Sequence, residues 1–230
     1  MVASLIKLLF PARCACCGAV AGGSDVCVRC KEKITYINPP VCELCGSELK
    51  RCGCKNRKYA FDRAVSAMVY EGAVRNGIRR FKFEGKVAAG RFFADEMLRV
   101  ISREYGDVKF GLLLAVPMSK LSLKRRGYNH CDILCGHISK KTGIEFDRRA
   151  LTKLRESRQQ HTLSWRERMT NLSGVFRADS KKVAGKTVLL ADDIMTTGAT
   201  LSECARAIKN AGAKEVFCVS AAMTELNRIN

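Results

Sequence analysis

The residues with the clearest chemical purpose form one short segment near the end of the chain. Two carboxylates, Asp192 and Asp193, directly follow the apolar run 188–191, and a hydroxyl-rich turn comes next. An apolar run of this length, bounded by charge and glycine, indicates a buried parallel strand, and open α/β sheets bind ligands where such strands end. The turn consists of Met195, Thr196, Thr197, Gly198, Ala199 and Thr200.

This turn is suited to a phosphate group. It opens a predicted helix that runs through Leu201 and Ile208 to Gly212. Small hydroxylated residues with glycine at a helix start let backbone N–H groups surround a phosphate, and the helix dipole adds to the attraction. An ordinary helix cap would explain a pair of threonines but not the whole string. We predict that the turn holds a 5′-phosphate while Asp192 and Asp193 bind ribose hydroxyls.

A second apolar run, 112–116, ends in a strongly basic stretch. We predict a basic turn from Lys120 to Arg126, including Arg125, followed by a helix that begins at residues 127–130. Arginine and lysine neutralise pyrophosphate charge, and a loop after a strand places them at the ligand edge of the sheet. The two segments together place a phosphate-binding turn and a basic stretch at the same edge of the predicted sheet.

Nine of the 13 cysteines precede residue 55, and eight of them form four closely spaced pairs. In three pairs, two residues between the cysteines let both thiolates reach one tetrahedral Zn²⁺, and Gly18 and Gly46 supply the small residue that such turns need. The fourth pair, Cys52-Gly53-Cys54, has a tighter spacing. Reduced, buried or redox-active pairs are the alternative. We predict two closed structural zinc sites, within 14–30 and 42–54, with Cys16 competing for a place in the first. The ligands are Cys14, Cys17, Cys27, Cys30, Cys42, Cys45, Cys52 and Cys54.

The order of these motifs resembles the ComF family of competence-associated, zinc-ribbon phosphoribosyltransferase-like proteins. Cysteine pairs come first, then residues 81–85, the basic stretch with Arg-Gly-Tyr-Asn, a Gln-x-x-Leu segment from Gln160, and the Asp-Asp-Ile-Met-Thr-Thr-Gly-Ala-Thr string. That last string also closely matches the signature of type I phosphoribosyltransferases, which bind phosphoribosyl pyrophosphate with Mg²⁺. One departure lies at residues 156–159, where a Thr- and Pro-rich run would be expected.

The resemblance implies roles for particular residues. Asp192 and Asp193 match the ribose-binding acids, and Thr196, Thr197, Gly198 and Thr200 match the phosphate loop. The central motif, expected near the pyrophosphate, consists of Arg126, Gly127, Tyr128 and Asn129, and Lys82 matches a basic position without an assigned role. The resemblance also implies a part in natural transformation, acting on incoming single-stranded DNA in the cytoplasm, with a helicase or other DNA-processing protein as a possible partner.

These segments require an α/β fold, with a type I phosphoribosyltransferase-like three-layer domain and a mainly parallel sheet, preceded by a small double zinc ribbon. We predict an N-terminal helix and ribbon over 1–58 and the α/β domain over 59–230, with an irregular hood over about 150–178. Residues 1–10 lack the pattern of a signal peptide and are interpreted as a short packing or docking helix. A reducing, cytoplasmic location is therefore expected, where cysteine pairs favour metal.

The composition favours a polyanionic partner. The formal net charge is +19, from 41 Lys and Arg against 22 Asp and Glu, and most of the surplus precedes residue 171. No apolar run is long enough to span a bilayer. Taken together with the resemblance to the ComF family, this charge leads us to expect single-stranded DNA binding, with phosphoribosyl transfer left open. The alternatives are a salvage phosphoribosyltransferase for a free base and a non-enzymatic regulator that responds to phosphoribosyl pyrophosphate.

Several other residues have a plain structural interpretation. Cys131, Cys135, Cys204 and Cys218 are expected to be small buried packing residues, and 87–101 is expected to be a core helix. Of the three histidines, only His161 has a context that favours phosphate contact or acid–base work. Trp165 could stack on a base or anchor the hood.

Overall fold

The computed structural model describes residues 11–54, 57–85, 87–155 and 171–225. Four parallel strands form its main sheet in the order β1-β6-β5-β2, and β3 and β4 form a separate antiparallel pair. This confirms the predicted α/β class with a mainly parallel sheet. None of the helices in these ranges is long and apolar enough to cross a membrane.

The elements follow one another in an alternating pattern after the cysteine-rich segment. The strands are β1 Arg63–Val69, β2 Leu112–Ala115, β3 Leu151–Lys153, β4 Phe176–Ala178, β5 Thr187–Met195 and β6 Glu215–Met223. The helices are α1 Val28–Lys31, α2 Gly72–Phe83, α3 Ala89–Tyr105, α4 Lys120–Arg126, α5 His130–Thr142, α6 Ser180–Val183 and α7 Ala199–Asn210.

Both faces of the sheet are covered by helices, which explains the unbroken apolar runs in the strands. On β5, Leu189 and Ala191 join one core with α3 and α5, whereas Val188 and Leu190 join a second core with α7. Successive side chains of a strand point to opposite faces, so a strand buried on both sides has no polar alternation. The domain therefore has three layers.

The predicted core helix is observed as α3, with its boundaries shifted. Phe93 and Met97 are fully buried, and the helix continues to Tyr105, whose hydroxyl donates to the Cys218 carbonyl at 2.9 Å. Val87 precedes the helix and is exposed, so its assignment to the core was wrong.

Two further elements differ from the predictions. The basic stretch 120–126 is helix α4, not a turn, because Ser119 caps it by accepting from the Ser122 N–H and Gly127 ends it in the left-handed conformation. Strand β5 continues to Met195, so Asp192 and Asp193 lie within the strand rather than after it. Pairing with β6 persists along this part of β5 and keeps it extended.

The cysteine-rich segment extends the sheet beyond β1. The Ile37 N–H donates to the Ala67 carbonyl at 3.0 Å, and the Val69 N–H donates to the Thr35 carbonyl at 2.8 Å. Gly46 packs directly on the backbone of Ala64, where an added Cβ would lie 2.3 Å from the carbonyl oxygen. The ribbon and the α/β domain therefore share a close backbone interface. The domain boundary near residue 58 stays a prediction.

Candidate functional site

A cavity of about 480 Å³ lies at the carboxyl ends of β2 and β5. Residues from the sheet, α2, α4, α5 and the β3–β4 pair contribute to its wall, so segments distant in sequence converge there. The side chains in the lining that carry a hydroxyl, an imidazole or a charge are those of Tyr70, Lys82, Ser119, Ser122, Arg126, His130, Lys153, Asp192, Asp193, Thr196 and Thr200. This polar cavity is the candidate binding site.

The predicted phosphate loop forms the turn from β5 into α7. Gly198 caps α7 with φ 80°, a left-handed conformation that favours glycine, and the Thr197 hydroxyl accepts from the Ala199 N–H at 3.4 Å. Thr224, just after β6, stabilises the loop through two hydrogen bonds. Its N–H donates to the Met195 carbonyl, and its hydroxyl donates to the Thr196 carbonyl. The N-terminus of a 12-residue helix is thus fixed beside the cavity.

A second support for the loop comes from the segment that follows the last cysteine pair. The Tyr59 hydroxyl donates to the Thr197 carbonyl at 3.0 Å, and the Arg57 guanidinium reaches the same oxygen at 3.5 Å. An added Cβ at Gly198 would lie 2.7 Å from the Tyr59 ring. The ring therefore packs directly on the loop, and only glycine leaves space for it.

The two carboxylates are buried and have different neighbours. Lys82 Nζ lies 2.5 Å from Asp193 Oδ2, and Cys131 Sγ lies 3.4 Å from Asp192 Oδ1. Burial raises the pKa of Asp192, and Lys82 opposes this effect. Burial likewise lowers the pKa of Lys82, and Asp192 opposes it. The buried ammonium and the acidic pair therefore stabilise one another's charged forms.

His130 connects this acidic pair to the basic helix α4. Arg126 lies 2.8 Å from His130 Nδ1, and His130 Nε2 lies 3.2 Å from Asp193 Oδ2. A guanidinium can only donate, so Nδ1 must be the acceptor and the proton must lie on Nε2, facing Asp193. Burial and the charges of Lys82 and Arg126 lower the pKa of His130 to about 2. The ring is therefore a neutral bridge with a fixed tautomer.

The eight predicted cysteine ligands gather into two clusters. One contains Cys14, Cys17, Cys27 and Cys30, the other Cys42, Cys45, Cys52 and Cys54, and within each all sulfurs lie within 4.8 Å of one another. Sulfur pairs such as Cys17–Cys27 and Cys45–Cys52 are 3.8 and 3.7 Å apart. Zn–S bonds of about 2.3 Å in a tetrahedron require sulfurs about 3.8 Å apart, so both clusters fit Zn²⁺.

Cys16 does not belong to either cluster. Its side chain is fully buried, and burial together with the neighbouring thiols raises its pKa to about 12. The sulfur atoms of the first cluster that lie within 4.8 Å of one another are those of Cys14, Cys17, Cys27 and Cys30, and Cys16 Sγ is not among them. The first cluster therefore contains Cys14 and Cys17, and not Cys16.

Comparisons with known proteins agree with this architecture. A model of the phosphoribosyl transferase domain matches residues 140–225, and a model of the double zinc ribbon domain matches residues 5–61. The DNA utilization protein YhgH of Escherichia coli K12 is 29% identical, and the match covers 86% of this chain and 91% of that protein. Competence protein F of Haemophilus influenzae is 27% identical, with 84% and 88% covered. The resemblance to the ComF family is confirmed.

A third relative is the Competence protein ComFC of Bacillus subtilis, which is 25% identical over 81% of this chain and 79% of that protein. The ComF-like chain thus has a type I phosphoribosyltransferase-like α/β domain preceded by a small double zinc ribbon. Both parts and their order agree with the prediction from the motifs.

The ComF-like motifs divide into cavity residues and supporting residues. Asp192, Asp193, Arg126, Thr196, Thr200 and Lys82 line the cavity. Thr197, Gly198 and Ala199 are buried in the loop, and Met195 points into the core beside α7. Arg125 is exposed outside the cavity lining.

The remaining two residues of the ComF-like central motif build the wall around the site. The Tyr128 hydroxyl donates to the Phe81 carbonyl, which ties the start of α5 to α2. Asn129 caps α5 by accepting from the Cys131 N–H, and its amide donates to Asp132 at 2.9 Å. These two side chains position Lys82 and His130.

Two residues at the acidic pair, His130 and Cys131, were not predicted as site residues, and two residues considered from sequence lie outside the described ranges. His130 and Cys131 both lie at the acidic pair, and together with Asp192 and Asp193 their ligand atoms fall within 4.8 Å. The signal for His130 was its place directly after the Arg-Gly-Tyr-Asn motif. His161 and Trp165 belong to the hood segment 156–170, which is outside the described residues, as is the predicted helix 1–10.

Replacing His130 with glutamine is expected to remove one pH dependence of stability. The unfolded chain takes up a proton on His130 as the pH falls through about 6.5, whereas the folded chain does not. The wild-type unfolding free energy therefore falls with decreasing pH in this window, and the variant lacks that contribution. The stability difference between wild type and variant should narrow by about 1 kcal/mol from about pH 7 to about pH 5.5. Urea unfolding at the two pH values measures this change in the free energy of unfolding. An equal change with pH in wild type and variant would contradict the buried neutral state of His130.

Proposed function

We propose that this protein binds phosphoribosyl pyrophosphate with Mg²⁺ in the cavity between α2, α4 and the phosphate loop, and that it also binds single-stranded DNA. The observation that carries the proposal is the convergence of the Thr-Thr-Gly-Ala-Thr loop, the buried acidic pair and Arg126 around one cavity. The three parts match the three parts of the ligand, which are a 5′-phosphate, ribose hydroxyls and a pyrophosphate.

Each group has a distinct task in this proposal. The backbone N–H groups at the start of α7 bind the 5′-phosphate, and the carboxylates of Asp192 and Asp193 accept hydrogen bonds from ribose hydroxyls. Arg126 stabilises the pyrophosphate, and His130 keeps its guanidinium oriented toward the cavity. Mg²⁺ bound with the ligand would neutralise further charge on the pyrophosphate. In a transfer reaction these cations would stabilise the leaving pyrophosphate as the ribose C1 becomes positively charged.

The DNA half of the proposal is supported by charge and by the relatives. The net charge of +19 favours a polyanion, and two relatives are named for DNA utilization and for competence. We propose that the protein acts on DNA taken up during natural transformation, inside the cytoplasm, with a DNA-processing protein as a partner. The buried thiols and the two cysteine clusters suit a reducing compartment.

The decisive experiment measures phosphoribosyl pyrophosphate binding by calorimetry and pyrophosphate release with and without single-stranded DNA. We expect saturable, Mg²⁺-dependent binding and a salt-sensitive shift of a DNA oligonucleotide. Turnover with a free base and no DNA affinity would instead establish a salvage enzyme. Tight binding of both ligands without pyrophosphate release would establish a regulator. Failure to bind phosphoribosyl pyrophosphate would overturn the assignment of the cavity.

A further inference from the structure

A second groove, distinct from the candidate site, lies between the first cysteine cluster and α2. Its volume is about 440 Å³. One wall is the Cys16–Cys17 turn, and the other is the exposed side of α2 with its C-terminal end. We call it the α2 groove, and its lining consists of Cys16, Cys17, Asn76, Arg79, Arg80, Phe83 and Glu84.

The groove is held rigidly because its two walls are in close contact. An added Cβ at Gly77 of α2 would lie 3.0 Å from the Ala15 carbonyl oxygen and 3.1 Å from the Cys16 Cα. At Gly18, an added Cβ would lie 2.2 Å from a guanidinium nitrogen of Arg80. The Arg80 side chain is therefore packed across the turn of the ribbon, and its cation is fixed at the groove instead of moving freely in solvent.

The charge of this face is strongly positive. Arg75 and Arg79 are exposed on α2, one helical turn apart, and Arg80 is partly exposed beside them. Among the residues that the structure describes, Glu84 is the one acid in the groove lining, and it lies 3.5 Å from Arg80. Arg79 and Arg80 both line the groove, and two guanidinium groups in one groove are suited to phosphates of a nucleic-acid backbone.

Phe83 lies between the α2 groove and the candidate site. It ends α2, is 67% exposed, and contributes to the lining of both cavities. The Arg126 guanidinium carbon lies 4.9 Å from the centre of its ring. An exposed aromatic ring with a cation against it offers a stacking surface for a base. A duplex keeps its bases stacked on one another, so this surface selects a single strand.

We infer that a single strand of nucleic acid lies in the α2 groove, with phosphates at Arg79 and Arg80 and one base stacked on Phe83. This inference rests on the DNA half of the proposed function and assigns that half to a defined surface. It also has a consequence for the sugar-phosphate site. The stacked base lies at the mouth of that cavity, so a base of the strand, and not a free base from solution, is the group presented to the ribose.

The test uses the full-length, zinc-loaded protein and a fluorescein-labelled oligo(dT), with anisotropy measured over a series of salt concentrations. Arg79→Ala should weaken binding and lower the slope of log affinity against log salt by about one. Phe83→Ala should weaken binding about tenfold and leave the salt slope unchanged. The matched control is Lys214→Ala, which should bind as wild type does. Lys214 is an exposed cation directly before β6, at the amino ends of the parallel strands, whereas the candidate site lies at their carboxyl ends.

Three outcomes would overturn the inference. They differ in whether the proposed binding of DNA by this protein is overturned as well. Wild-type affinity in both Arg79→Ala and Phe83→Ala would exclude the groove while leaving DNA binding intact. Absence of any oligo(dT) binding by the wild type would exclude the DNA half of the proposed function, and calorimetry with phosphoribosyl pyrophosphate would still judge the other half. Tighter binding of a duplex than of a single strand would exclude stacking on Phe83. A photo-crosslink from 5-iodouracil to the peptide containing Phe83 supports the inference directly.

Discussion

The double substitution Asp192→Asn and Asp193→Asn is expected to abolish measurable binding of phosphoribosyl pyrophosphate. Charge-assisted hydrogen bonds contribute about 1.5–3 kcal/mol each, so losing two of them lowers affinity by at least about 100-fold. The carboxylates also hold Lys82, and a neutral amide at position 193 leaves that buried ammonium without its partner at 2.5 Å. Calorimetry near neutral pH with excess Mg²⁺ measures the loss.

The control variant must distinguish loss of the binding site from loss of the folded structure. Asp95→Asn is the matched substitution, because Asp95 lies on α3 outside the cavity and pairs with His137 on the neighbouring helix at 2.7 Å. We expect it to bind with wild-type affinity. Circular dichroism and zinc content should be unchanged in both variants. Wild-type affinity in the double variant would show that the acidic pair does not bind the ligand.

Replacing Cys45 with serine is expected to have the second large effect. Cys45 is fully buried in the second cluster, with its sulfur 3.7 Å from that of Cys52. Structural zinc sites contribute about 10–16 kcal/mol to folding, and serine is a much poorer ligand than a thiolate. The variant should lose about one zinc per chain and unfold at a markedly lower temperature. Metal analysis and a thermal scan measure both changes.

The effect of Cys45→Ser should reach the phosphate loop. Tyr59 and Arg57 follow the second cluster directly in the chain, and both contact the Thr197 carbonyl. Loss of the metal loosens this support, so affinity for phosphoribosyl pyrophosphate should fall as well. Cys135→Ala is the control, because it removes a fully buried thiol that is outside both clusters. Full zinc content in Cys45→Ser would contradict the assignment of the second cluster.

The features predicted well from sequence were those encoded locally. The turn from β5 into α7 was predicted from a contiguous string whose residue types suit one backbone geometry, and the two cysteine clusters were predicted from pairs whose spacings are set by one turn. The parallel sheet followed from apolar runs that require burial on both faces. In each case the information needed lies within about ten residues of the chain.

The features missed were those created by packing between distant segments. In the sequence, nothing distinguishes His130 from other residues at the start of a helix. Only the fold brings Lys82 of α2 and Asp193 of β5 close to it. Nothing near Tyr59 in the chain indicates the loop that it supports, 138 residues away. The basic stretch 120–126 was predicted as a turn because its charges suggested a loop, although the cap at Ser119 and the stop at Gly127 define a helix.

The backbone bonds between the ribbon and β1 have one more consequence. An outer strand of a sheet has unpaired N–H and C=O groups that can recruit another chain. Here residues 35–37 cover that edge of β1, and they belong to the ribbon whose two cysteine clusters fit Zn²⁺. We therefore expect loss of zinc to promote self-association, because a ribbon without its metal would leave the backbone of β1 at Met68 open to pairing with a second copy of the chain.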